Sequence, residues 1–211
     1  KNEIVVIVHR WCNGSYLESH DMYQMNGIFR DVLLFVNEKS YIHNLFYETH
    51  HIEGDKFRFE SLIDVKNYEN LFVKVVLEDE KGVKYQKKVQ LKTQKTLVLF
   101  ENIFEKYTAE NPHLYRFYVS LIKNNKEIEC VCKKVGFRYI TIEDRKLLYN
   151  GKPILIKGIN YQESHPENGK SMSFEQYEKD IKLIKDYNIN AVQFTYPAHP
   201  VMLQLCDEAG L

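Results

Sequence analysis

Between residues 41 and 136, apolar and polar positions alternate in short runs, which is the pattern of half-buried β-strands. In the clearest pair, the alternation runs through 71–77 and again through 83–91, and the polar stretch 79–82 joins the two runs as a turn. Further strands are predicted at 42–49, 56–65, 95–100, 114–123 and 126–133. Short strands at regular spacing with turn signals between them predict an immunoglobulin-like β-sandwich.

After Gly136 the pattern changes to a hairpin over 138–149, a short buried strand over 154–159, and a helix. Ser173 followed three residues later by Gln176 is a capping box and marks the start of this helix. Its predicted apolar stripe consists of Phe174, Tyr177, Ile181, Ile184 and Tyr187. A second buried strand over 191–194 and a helix between Pro200 and Gly210 follow. Strand, helix, strand and helix in succession predict the opening of a parallel α/β architecture.

Residues 1–40 contain two extended apolar pieces, 4–9 and 31–36, separated by a polar stretch. Two or three strands cannot form a stable domain alone, so we expect the end of a larger β-domain here. The predicted organisation is therefore three regions, 1–40, 41–136 and 137–211. The predicted fold class is mainly β.

The composition of the chain argues against several classes of binding partner. Lys plus Arg (29) balances Asp plus Glu (29), which gives no electrostatic case for nucleic acid or an anionic membrane. No apolar run approaches the roughly 18 residues of a membrane span. The four cysteines show no zinc-site spacing. Cys130 and Cys132 are expected on one strand face, a poor geometry for a disulfide, so buried free thiols in a reducing compartment are predicted.

Several stretches resemble glycoside hydrolase family 2. They are RWCNGSYLESHDMYQMNGIFRDV (10–32), VGFRYI (135–140), LLYNGKPILIKGIN (147–160), HPENGK (165–170) and NAVQFTYPAHPVMLQLCDEAGL (190–211). Together they span nearly the whole chain in the family's order, and the first most resembles the β-galactosidase branch. The resemblance implies the last strands of a jelly-roll sugar-binding domain, a complete immunoglobulin-like sandwich, and the first two βα units of a (β/α)₈ barrel.

The resemblance also implies a retaining hydrolase that uses two carboxylates about 5 Å apart. It places both on later barrel strands, beyond Leu211. Of the acidic residues, Glu163 stands alone directly at the end of a barrel strand. We therefore expect a fragment that carries no catalytic residue and is inactive by itself.

Active sites of such barrels lie at the carboxyl ends of the strands. The loop after the first strand resembles the family's Asn-Arg-His-Glu-His-His-Pro, so Asn160, Gln162 and Glu163 are the expected substrate-binding residues. Gln162 stands at the position of the sugar-contacting His, and Tyr161 at that of the preceding Arg. Gln193 occupies the Arg position of the family's Arg-x-Ser-His-Tyr-Pro, whose His is missing. An amide can bond to a sugar hydroxyl but cannot carry charge as Arg or His⁺ can, so altered specificity or weak activity is expected.

Asp21 matches the family's jelly-roll Asp, which implies a metal ligand for sodium and a contact with the sugar's 6-hydroxyl. An Asp that only fixes a loop is the alternative reading of this residue. No cofactor is expected within these residues, whereas sodium and magnesium are expected ligands of the full-length protein. His165 and His199, each followed by proline, are predicted to be turn and helix-entry residues rather than ligands.

The expected partner is a β-galactoside-type carbohydrate, with no nucleic acid and no membrane. Apolar edges of the two barrel strands also predict self-association, for example as a homo-oligomer. A cytoplasmic bacterial location is the expectation that the free cysteines and the resemblance to the family suggest. The alternative function is a non-catalytic carbohydrate-binding or scaffold protein derived from this family, which the missing His and Arg favour.

Overall fold

A computed structural model describes residues 3–17, 23, 25–82 and 84–211. The chain forms two compact units, one running from Val36 to Leu155 and the other combining the stretch up to Phe35 with Ile156–Ala209. The boundaries at 40/41 and 136/137 that the sequence indicates stay predictions.

The first unit is a two-layer β-sandwich, as predicted. Its strands are β1 (Tyr41–Glu53), β2 (Lys56–Lys66), β3 (Leu71–Glu78), β4 (Lys84–Gln90), β5 (Lys95–Ile103), β6 (Tyr115–Lys123) and β7 (Lys126–Val135). One sheet has the order β1-β2-β5 and the other β4-β3-β6-β7, and all pairings are antiparallel. This three-plus-four arrangement is that of an immunoglobulin-like domain.

Alternating side chains fill the space between the two sheets. On β3 every second residue from Leu71 to Leu77 is buried, and β2 shows the same period from Phe57 to Val65. Aromatic rings close one region of this core: Phe137 stacks on Phe104 with centroids 4.0 Å apart and meets Tyr115 edge-on at 5.1 Å. The strict period of two therefore sets both the register and the core.

A small sheet follows in the same unit, with strands β8 (Ile140–Glu143), β9 (Lys146–Tyr149) and β10 (Lys152–Pro153) in the order β10-β9-β8. Asp144 and Arg145 join β8 to β9 with φ values of 47° and 62°. Positive φ at both central residues is the requirement of a two-residue type I′ hairpin turn. The predicted hairpin is confirmed.

The second unit contains a one-turn helix α1 (Gly14–Leu17), strand β11 (Gly158–Tyr161), helix α2 (Phe174–Asp186), strand β12 (Ala191–Phe194) and helix α3 (Pro200–Ala209). Strands β11 and β12 are parallel, which gives the two expected βα units, and the described residues form no closed barrel. The capping box of α2 is present in both directions, between Ser173 and Gln176.

Three expectations about this unit are wrong in detail. The first barrel strand begins at Gly158, where its pairing with β12 begins, so Leu155 is 76% exposed instead of buried. On α2 the ends of the predicted stripe, Phe174 and Tyr187, are exposed, because the packing of the helix involves its central turns. The described part of residues 3–35 forms no strand, so the strands predicted at 4–9 and 31–36 are absent. Apolar periodicity produces a strand only where a neighbour accepts its backbone hydrogen bonds.

The cysteines are free, as predicted, but only Cys206 is buried. Cys130 and Cys132 lie on the edge strand β7, on the face turned away from the core, and are exposed together with Cys12. Among the helices that the structure describes, none is long and apolar enough to cross a membrane.

Candidate functional site

The two parallel strands of the second unit present two different faces. Ile159 and Tyr161 on β11, with Val192 and Phe194 on β12, pack against the helices. The residues between them, Asn160 and Gln193, are register partners and are exposed. Because side chains alternate across a strand, these two amides lie side by side on the face away from the helices, near the carboxyl ends of both strands.

Tyr161 belongs to the helix-facing side. Its hydroxyl donates to Asp180 Oδ2 on α2 at 2.5 Å and lies 3.9 Å from Met172 Sδ. Burial, followed by the bond to Asp180, raises the pKa of the Tyr161 hydroxyl. Tyr161, which stands at the position of the family's Arg, is therefore turned by the strand alternation into the strand–helix interface.

Glu163 is the buried acidic residue of this region, with 4% of its surface exposed. Its Oε1 accepts from the backbone N–H of His199 at 2.6 Å and from the Tyr177 hydroxyl at 3.3 Å. Its Oε2 accepts from Arg30 Nη2 at 3.3 Å. Burial, together with the Glu163 charge, raises the pKa of Tyr177, which keeps this hydroxyl a donor. The carboxylate thus joins α2, the loop after β12 and the N-terminal stretch.

The remaining site predictions have different outcomes. Gln162 is half-buried and has polar contacts of its own. Asp21 lies outside the described residues, so its predicted roles toward sugar and sodium stay predictions. Within the described ranges, no group of three or more His, Cys, Asp or Glu residues could hold a metal ion. Substrate binding by Asn160, Gln162 and Glu163 also stays a prediction.

His165 closes a tight turn. Its backbone N–H and carbonyl both bond to Gly169, at 2.7 and 2.9 Å, and its Nδ1 accepts from the backbone N–H groups of Glu167 and Asn168 at 3.3 Å each. The predicted turn role of this histidine is confirmed.

His199 is the N-cap of α3. Its Nδ1 accepts from the Val201 N–H at 3.2 Å, a capping bond, and its ring stacks on Tyr177 with centroids 5.7 Å apart. The predicted helix-entry role is confirmed.

The sequence located Glu163 but did not predict its hydrogen-bond partners. The position of Tyr177 on the apolar stripe of the helix correctly predicts that its ring is buried. It does not predict that the hydroxyl donates to Glu163. Lys170 was also missed: its ammonium lies 5.0 Å from the Tyr196 ring centroid and 5.9 Å from that of Phe29. Cation–π contacts of this kind depend on tertiary proximity, for which the sequence carries no local signal.

Comparison with known proteins matches three successive segments of the chain to models of one family. Family models match residues 1–38 (glycosyl hydrolases family 2, sugar binding domain), 40–138 (glycosyl hydrolases family 2) and 140–211 (glycosyl hydrolases family 2, TIM barrel domain). Only residues 39 and 139 fall between the matches.

Relatives with curated names match the chain over its whole length. The beta-galactosidase of Pseudoalteromonas haloplanktis is 38% identical over 228 residues, covering 100% of this chain and 22% of the relative. That of Streptococcus thermophilus is 34% identical over 221 residues, covering 100% and 21%. The chain thus spans about a fifth of the length of these relatives.

Solved structures agree on the fold. A beta-glucuronidase of Bacteroides uniformis superposes with a TM-score of 0.78 at 22% identity, covering 92% of this chain and 26% of that one. At this identity the likeness concerns architecture alone. Because the sugar-binding, central and barrel segments follow one another here in a single family's order, the chain belongs to glycosyl hydrolase family 2.

Proposed function

We propose that this chain forms part of a retaining, β-galactosidase-like glycoside hydrolase, and that the full-length protein hydrolyses terminal β-galactosides. The observation that carries the proposal is the 34–38% identity to named beta-galactosidases along the whole chain. The likeness to beta-glucuronidases is confined to the fold, at 22% identity.

The chemistry of a retaining glycosidase needs an acid/base and a nucleophile about 5 Å apart. Glu163 is a poor candidate for either role, because its carboxylate is buried and accepts from Arg30, Tyr177 and the His199 backbone. We therefore place both catalytic carboxylates in other parts of the full-length protein. The 211 residues alone should not turn over substrate.

The proposed contribution of this chain is one wall of the sugar site. The amides of Asn160 and Gln193 each offer two donors and an acceptor, which suits sugar hydroxyls. Neither amide can carry the charge that His⁺ or Arg would bring to the site. We further propose that Asp21 coordinates a sodium ion and contacts the 6-hydroxyl of the sugar.

The test is an assay of the full-length protein on matched aryl β-galactoside and aryl β-glucuronide substrates, with the anomer of the first product followed by NMR. Galactoside hydrolysis with retention supports the proposal, and a preference for the glucuronide refutes it. Asn160→Ala and Gln193→Ala should raise KM, whereas Gln90→Ala, an exposed amide on β4, should not.

The neutral amides favour a second function, a carbohydrate-binding protein without catalysis. Binding of galactosides by calorimetry, with no turnover of either aryl glycoside, would favour that function over the enzyme.

A further inference from the structure

One nitrogen of Arg30 bridges the two loops that follow the barrel strands. Nη2 donates to Glu163 Oε2 at 3.3 Å, in the loop after β11, and to the carbonyl of Pro197 at 2.8 Å, in the loop after β12. Two residues beyond that carbonyl, the His199 N–H donates back to Glu163 Oε1 at 2.6 Å. These three hydrogen bonds and the backbone between Pro197 and His199 close a ring that spans both loops.

We propose that Arg30 and Glu163 are a positioning pair that holds these two loops, and with them the amides of Asn160 and Gln193, in a conformation competent for sugar binding. Arg30 belongs to the segment matched to the sugar binding domain, and Glu163 to the barrel segment. Arg30 thereby links the sugar-binding segment to the substrate wall without itself touching substrate. The link from loop position to substrate affinity rests on the proposed function.

The chemistry of Arg30 and Glu163 suits a pair that holds two loops in place. Glu163 has 4% of its surface exposed, and burying a carboxylate is costly unless charge and donors compensate it. Arg30 supplies the charge, and Tyr177 and the His199 N–H supply donors. Nη2 of a guanidinium carries two N–H groups, and the two bonds from Arg30 Nη2 use both. Lysine would keep the charge, but its ammonium lacks the planar geometry that fixes the directions of the two N–H groups of Nη2.

The same geometry distinguishes positioning from general stabilisation. Loss of Arg30 leaves Glu163 with its bonds to Tyr177 and His199, so the barrel strands and their core remain packed. What is lost is the link to the Pro197 carbonyl and the charge opposite Oε2. The expected defect is therefore local, in 195–199 and in the loop that carries Glu163.

The experiment uses Arg30→Met, Glu163→Gln, the double variant and Arg30→Lys in the full-length protein. Arg116→Met is the matched control, because Arg116 is exposed on β6 of the sandwich. Hydrogen exchange by NMR or mass spectrometry follows the His199 amide, whose N–H bonds directly to Glu163. Arg30→Met removes the charged hydrogen bond that anchors this loop at the Pro197 carbonyl. Since such a bond is worth enough to shift an opening equilibrium about tenfold, the loop should open more often and exchange at the His199 amide should accelerate by at least about tenfold.

In steady-state kinetics on the aryl β-galactoside, Arg30→Met should raise KM several-fold more than it lowers kcat. Arg30→Lys should recover part of that loss, and the double variant should be no worse than the more impaired single variant, since the pair acts as one unit. Unchanged exchange at 195–199, or a KM equal to that of Arg116→Met, overturns the inference. If the full-length protein turns over neither glycoside, the proposed function fails, while the exchange measurement still decides whether the pair positions the loops.

Discussion

Replacing Phe137 by alanine should be among the most destabilising single changes in the sandwich. Its side chain is 0% exposed, stacked on Phe104 at 4.0 Å and edge-on to Tyr115 at 5.1 Å. Truncating a fully buried Phe costs about 3–5 kcal/mol, and each aromatic pair adds roughly 0.5–1.5 kcal/mol beyond its buried area. The upper part of the first range, about 4–5 kcal/mol, is therefore expected.

Urea unfolding followed by far-UV circular dichroism measures this loss. With a slope of roughly 2 kcal/mol per molar urea, the midpoint should fall by about 2 M. Trp11 lies in the other unit, so tryptophan fluorescence would not report on the sandwich.

Phe46→Ala on β1 is the matched control, because this ring is 54% exposed and its loss should cost less than about 1 kcal/mol. Phe137→Leu should fall between the two. Equal midpoints for Phe137→Ala and Phe46→Ala would refute the reasoning that this ring cluster closes the core.

Three further changes test other parts of the structure. Ser173→Ala removes the oxygen that accepts from the Gln176 N–H and should cost about 1 kcal/mol, seen as a lower thermal midpoint of the helical signal; an unchanged midpoint would show that the cap is dispensable. Gly136→Ala would place a Cβ 2.9 Å from the buried Tyr107 ring, so the urea midpoint should fall by an overpacking cost of about 1–3 kcal/mol, and wild-type stability would contradict this contact. Burial raises the pKa of Cys206 to about 11 from an ordinary 9.0; the unfolded thiol then loses its proton first, so the free energy of unfolding should fall as pH rises from 9 to 11. Cys206→Ala should reduce the pH dependence of the free energy of unfolding between about pH 8 and 9, below the ordinary pKa of tyrosine, and a pH dependence there equal to that of the wild type would contradict the assignment.

The secondary structure could be predicted closely because the sequence patterns that determine it are local. Strands β3 and β12 were expected at 71–77 and 191–194, and the structure has Leu71–Glu78 and Ala191–Phe194. Period-two patterning, turn residues and a capping box each act within a few neighbouring positions. These features need no knowledge of the distant chain.

The site was less predictable because its contacts join distant positions. The face on which Tyr161 lies follows from the register of β11 against β12, which begins at Gly158 rather than at the apolar run before it. One partner of Glu163 is Arg30, 133 positions away in the chain. Residue resemblance located Glu163 correctly as part of the loop, but its burial and donors arise only when three segments meet.

Three of the four thiols are exposed and one is buried, so thiol labelling can measure how fast the buried region opens. Cys12, Cys130 and Cys132 are exposed and should react with a maleimide or disulfide reagent at once, whereas Cys206 on α3 is buried and keeps its proton at neutral pH. Its slow labelling would time the transient opening of α3 from β11 and β12 in the native protein. Mass spectrometry of the modified peptides would then give a local opening rate for the barrel segment without any substitution.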